Sequence, residues 1–154
     1  MSDSTAQASQ SQPQANVASA SDSPASSAAA AKADFSDSPS LVELQRRCNE
    51  FTTARDWDQF HQPRNLMLAL TGEVGELAEI FMWRGECPVG LPGWSEKDRH
   101  HLGQELSDCL IYLIRLATVC GIDLPAAAAA KIVENGRKYP TDKSFGSTKK
   151  YTDL

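Results

Sequence analysis

The 154-residue chain predicts an all-α fold, a bundle of four helices behind a polar tail. Three observations carry that expectation. Apolar residues recur at helical spacing through four separate runs, a cap or a Gly/Pro stop marks the run boundaries, and no stretch alternates with the period of two that a half-buried strand needs. With 41% hydrophobic residues, the composition suits a single domain.

Residues 1–34 are mostly Ser, Ala and Gln, contain no aromatic ring, and beyond Met1 offer Val17 as the one sizeable apolar side chain. Such a segment cannot offset its ordering entropy. A disordered tail is therefore expected over residues 1–38 and a folded domain over 39–154. The tail lacks the basic start and the run of about 7–15 apolar residues of a secretory signal. It also carries Asp3, Asp22 and Asp34 and no Arg, unlike an organelle transit peptide. No run reaches the roughly 20 apolar residues of a membrane span. The expectation is a soluble, cytoplasmic protein with no membrane partner.

The first helix is expected from Ser40, which precedes Glu43 in a capping-box pattern, with Leu41, Leu44, Cys48 and Phe51 on one face. The connector WDQFHQPRN follows, with Pro63 read as a break. A second helix is expected from about Asn65 to Trp83. The loop RGECPVGLPGW leads to SEKD at 95–98, where a third helix begins and continues until Gly121. Asp123 can cap a fourth helix that tolerates Pro125 in its first turn and ends before Pro140.

Cys48, Cys87, Cys109 and Cys120 show no C-x-x-C spacing and are expected as reduced thiols. The net charge of −5, with no dense basic stripe, argues against a nucleic-acid partner.

The second helix carries Glu73 and Glu76 and the third carries Glu105 and Asp108, each pair three residues apart and so on one face. Each pair spans about 4.5 Å of helix rise, short enough to share an ion. From Cys109 onward the third helix is apolar on nearly every face except Arg115, so a helix buried on most sides is expected, with Asp108 at the border of the core. If the two helices are neighbours, four carboxylates converge, and their repulsion calls for a hard divalent cation. The all-oxygen donor set favours Mg²⁺ or Mn²⁺ over zinc. A di-iron centre would use Glu-x-x-His pairs, and none of His61, His100 and His101 has a Glu three residues before it. Gly72 and Gly75 each cost about 0.5–1 kcal/mol against Ala inside a helix, which suggests close approach of a backbone or ligand there. The bland alternative is that Glu73 and Glu76 are solvated surface charge; the matched pair on an apolar helix weighs against it.

Four segments then acquire a common meaning: GEVGELAEIF, QELSDCLIYL, ENGRKYP and ARDWDQFHQPRNLMLAL. Together with E-x-x-E, the 28 residues from Leu77 through Gln104, and E-x-x-D, they resemble the all-α nucleoside triphosphate pyrophosphohydrolases, the MazG-like group, and within it the dCTP pyrophosphatase branch. The resemblance covers roughly residues 39–154. It implies hydrolysis of dCTP, and of 5-modified relatives, to the monophosphate and pyrophosphate, with Mg²⁺ at Glu73, Glu76, Glu105 and Asp108. Glu73 and Glu76 are the candidates to activate water. The resemblance places Lys131, Asn135, Arg137, Lys138 and Tyr139 at the triphosphate and Trp57 at the base. Trp83 and Tyr112, which extend the two acid stripes, are further aromatic candidates for the base. Mammalian members carry a histidine where this chain has Cys48. The resemblance also implies a homotetramer. The rival expectations are a dUTP or broad-range pyrophosphatase of the same fold, and a non-catalytic helical interaction protein.

Overall fold

The computed structural model describes residues 34–153, so the expected tail lies outside the described residues apart from 34–38, which are exposed. Helix α1 spans Leu41–Thr53, α2 Pro63–Met82, α3 Glu96–Val119 and α4 Leu124–Lys138, followed by a short α5 at Thr141–Ser144 and a 3₁₀ turn at Tyr151–Asp153. The four expected helices are present, and no strand occurs among the described residues. No single helix among them is long and apolar enough to cross a membrane.

The caps explain the boundaries. Ser40 Oγ accepts from the Glu43 amide, but the Glu43 carboxylate turns to Arg46 and Arg47, so only half of the expected capping box forms at α1. The full box belongs to α3, where Ser95 and Asp98 satisfy each other's backbone donors. Pro63, expected as a break, is instead the first residue of α2, because the first helical position needs no amide donor. At the end of α3, Gly121 adopts φ +66°, and the amides of Gly121 and Ile122 bond back to Thr118 and Ala117. This is the left-handed stop that glycine accommodates without strain. Asp123 caps α4 through the Ala126 amide.

Helix α3 is the centre of the fold, with α2 packed along it most extensively and α1 along another side. Both neighbours run antiparallel to it. Residues further along α1 meet residues earlier on α3, as Gln45–Thr118 and Asn49–Arg115 show. Among the described residues Leu66 and Ile114 are the buried hydrophobic residues, joined by the buried polar Thr52, Glu105 and Arg115.

Two expectations are corrected here. Helix α3 is not buried on most sides: Leu106, Leu110, Ile111 and Leu113 remain exposed, because one chain supplies only α1 and α2 as substantial cover. Nor do Gly72 and Gly75 mark a close approach within the chain, since a Cβ at either would meet nothing within 4 Å.

Leu66 is 2% exposed. Leu66→Ala is expected to cost about 2–5 kcal/mol through lost burial and a residual cavity, whereas Ser95→Ala, which removes one cap, costs about 1 kcal/mol. Urea unfolding of the two variants side by side checks the ranking.

Candidate active site

The acidic residues meet because the α2–α3 hairpin has a fixed register. Near its turn, Arg84 donates to Asp98 Oδ1 at 2.7 Å, and Asp98 also receives the Ser95 hydroxyl at 2.7 Å and the Ser95 amide at 3.2 Å. These bonds hold the Asp98 carboxyl below its usual range, with the Ser95 hydroxyl the main cause. The Arg84 guanidinium lies 4.2 Å from the centre of the Trp94 ring, which packs at 5.5 Å from Phe81. Counting back along α2 and forward along α3 by about 11 Å of helix rise brings Glu76 opposite Glu105.

Carboxylate oxygens of Glu73, Glu76 and Glu105 lie within 4.8 Å of one another. Oxygen ligands on opposite sides of one divalent cation stand about 4–5 Å apart, so this donor set fits such an ion. Asp108 falls outside this tight group but within its field. Burial raises the Glu73 carboxyl above its usual range, and the charges of Asp108, Glu76 and Glu105 push it the same way. The neighbouring Cys109 thiol is raised mainly by burial, and further by Glu73, Glu105 and Asp108. Uncompensated negative charge of this kind is what a cation would relieve.

Two concavities flank the acids. One, of about 530 Å³, is bordered by Glu76, Glu79, Arg84, Asp98, His101 and Glu105. In it His101 Nε2 is 3.2 Å from Glu105 Oε1, so the histidine pairs one turn along its own helix. The other, of about 400 Å³, is more apolar, and its walls include Cys48, Phe51, Trp57, His61, Asp108 and Tyr112. Asp108 therefore stands between the carboxylate group and an aromatic cavity. Burial raises the Cys48 thiol and lowers His61, which Arg115 lowers further. All four cysteines are free thiols, as expected.

Trp57 and Tyr112 thus meet in one cavity, whereas Trp83 is 79% exposed at the end of α2 and does not line it. The phosphate candidates on α4 are not brought to the acids within one chain, because α4 packs only sparsely on the other helices. There Lys131 and Lys138 pair with Glu134 at 2.9 and 2.5 Å and hold it at about 2, Lys138 contributing most. Tyr139 meets the Tyr151 ring edge-on at 5.9 Å, and Asn135 and Arg137 lie on the same exposed helix.

Sequence reasoning missed the Arg84–Asp98 clasp, the His101 contact and the buried Arg115, which bonds Asn49 and Asp58. A signal for Arg115 was available, because Asp108, Tyr112 and Arg115 follow i, i+4, i+7 spacing on one face of α3.

A family model for the MazG-like family matches residues 69–154. Over 120 residues, the chain is 52% identical to dCTP pyrophosphatase 1 of Homo sapiens and 53% identical to that of Bos taurus, spanning 78% of this chain and 71% of each relative. A crystal structure of a pyrophosphatase from Archaeoglobus fulgidus DSM 4304 superposes with a TM-score of 0.53 at 32% identity, covering 65% of this chain and 92% of that one. On the family match, the extent of identity and the all-helical fold, this chain belongs to the MazG-like family.

Proposed function

We propose that this chain is a nucleoside triphosphate pyrophosphohydrolase that converts dCTP to dCMP and pyrophosphate in the cytoplasm, cleansing the nucleotide pool. The observation that carries this reading is the carboxylate group adjoining an aromatic cavity through Asp108, in a chain 52% identical to a dCTP pyrophosphatase. The metal is Mg²⁺, with Mn²⁺ an acceptable substitute, and Glu73, Glu76, Glu105 and Asp108 hold it. When bound, such an ion neutralises phosphate charge and lowers the pKa of water.

Glu73 is the general base, with Glu76 beside it orienting the water. In the metal-free protein, burial and the like charge of Asp108, Glu76 and Glu105 raise the proton affinity of Glu73. The water oxygen bonds to phosphorus, its proton passes to Glu73, and the bond linking the α and β phosphates breaks to release pyrophosphate. Trp57 and Tyr112 offer flat faces to the base.

The remaining substrate contacts, Trp83, Lys131, Asn135, Arg137, Lys138 and Tyr139, come from a neighbouring subunit of a homotetramer. Supporting this assembly, Leu106, Leu110 and Leu113 on α3 and Ile132 and Val133 on α4 are exposed in one chain, side chains that a subunit contact would cover.

Incubation with each deoxynucleoside triphosphate and Mg²⁺ is expected to yield dCMP and pyrophosphate from dCTP, with slower turnover of dUTP. Absence of both products from dCTP refutes the assignment, and equal turnover of all substrates points to a broad-range enzyme.

Because the folded pKa of Glu73 is raised, its ionised form destabilises the metal-free protein above that pKa. The deficit vanishes as pH falls below the unfolded value. Glu73→Gln is therefore expected to raise the metal-free melting temperature at neutral pH and to abolish the further rise that Mg²⁺ produces in the wild type. The same change should lower kcat at least about 100-fold. Calorimetry with and without chelator, alongside a pyrophosphate-release assay, checks all three.

A further inference from the structure

Arg115 is 4% exposed, and among the described residues two side chains hold its cation. Nη1 donates to Asn49 Oδ1 at 2.5 Å and Nη2 to Asp58 Oδ1 at 2.9 Å. The planar guanidinium thus joins α3 to α1 and to the connector that follows it, a geometry that the single ammonium of lysine does not reproduce. Asp58 is further held by the Thr52 and Thr53 hydroxyls, at 3.2 and 2.8 Å.

The tethered connector supplies two walls of the aromatic cavity. The Trp57 amide donates to the Thr52 carbonyl at 3.0 Å, and the His61 amide donates to the carbonyls of Trp57 and Asp58 at 3.2 and 3.3 Å. The Trp57 ring meets Phe51 edge-on at 5.7 Å and lies 6.3 Å from His61. Arg115 itself borders the same cavity. Its Nε and His61 Nδ1 are the two buried side-chain nitrogens among the described residues with no hydrogen-bond partner.

A buried cation is an expensive way to fill space, and an apolar side chain of equal volume stabilises a fold as well or better. Burial of this ion pair is therefore weak evidence of a stabilising purpose. On α3 it stands seven residues beyond Asp108, so the helix that carries the acids also anchors the far wall of the cavity.

We infer that Arg115, acting through Asp58 and Asn49, is a positioning residue that holds Trp57 and His61 at a set distance from the acidic end of α3, and thereby governs affinity for the base of the substrate. This rests on the pyrophosphohydrolase reading above. The fork belongs to the recognition half of the site and leaves the carboxylate half untouched.

The test is steady-state kinetics of full-length Arg115→Met, which retains the volume of the buried stem, of Asp58→Asn, and of the double variant. Each single variant is expected to raise KM for dCTP about tenfold, the size expected when two wall side chains must be ordered on binding. Turnover should stay within twofold of wild type, and inhibition by added pyrophosphate, which reports the acidic end, should not move. The double variant should be no worse than Arg115→Met, because both changes break one network. KM within twofold of wild type in the single variants overturns the inference, as does an equal fall in kcat with KM unchanged, the pattern of a purely structural loss. If Arg115→Met does not fold, the half-exposed Asp58 makes Asp58→Asn sufficient on the same criteria. Wild-type protein that fails to cleave dCTP overturns the functional reading, and this inference with it, and that failure is visible before any variant is compared.

Discussion

The separation of charge along α3 is what the site depends on. Glu105, buried toward the N-terminal half, faces the acids of α2, and Arg115, buried toward the C-terminal half, faces Asn49 and Asp58. An unpaired charge in either place carries a large desolvation cost, so each end of the helix demands a partner of defined chemistry. At one end that demand is met by other protein groups. At the other, His101 lies beside Glu105 while Glu73 and Glu76 add like charge, so the acids crowd together in a place a cation would relieve.

Helix register converts these demands into geometry. The Ser95 capping box orients Asp98, Asp98 receives Arg84, and Arg84 covers Trp94. None of these groups is itself acidic machinery, yet a slip of one residue would rotate Glu105 about 100° away from Glu76. Local capping chemistry, worth about 1 kcal/mol for a single residue, thereby determines the meeting of side chains two turns further along.

A single chain leaves apolar and charged surface unpaired among the described residues. Among the described residues the buried hydrophobic set is small, α4 extends with Ile132 and Val133 exposed, and Lys131 and Lys138 neutralise Glu134 of their own helix rather than the acids of α2 and α3. Carboxylates gathered without a compensating cation on one side, and lysines with an exposed helix on the other, are complementary chemistries. The interior glycines of α2 fit the same picture, since no described residue comes within 4 Å of a Cβ placed on either.

The four helices and most of their ends were legible in the residues because caps, glycine stops and apolar spacing are local signals that act within one or two turns. The acid pairs were legible for the same reason: a spacing of three defines a shared face whatever surrounds it. Pro63 was misread because a proline before a helix and a proline that begins one look alike in sequence. The expected burial of α3 is not met within one chain, because composition records how apolar a helix is and not how many neighbours of its own chain cover it. The Arg115 fork joins residues 57 and 66 positions apart in the chain, and the separation of Trp83 from Trp57 and Tyr112 likewise arises from packing. Short-range backbone chemistry is written in consecutive residues, whereas the pairing of buried charges depends on which helices become neighbours and in what register, and that is settled when the chain packs.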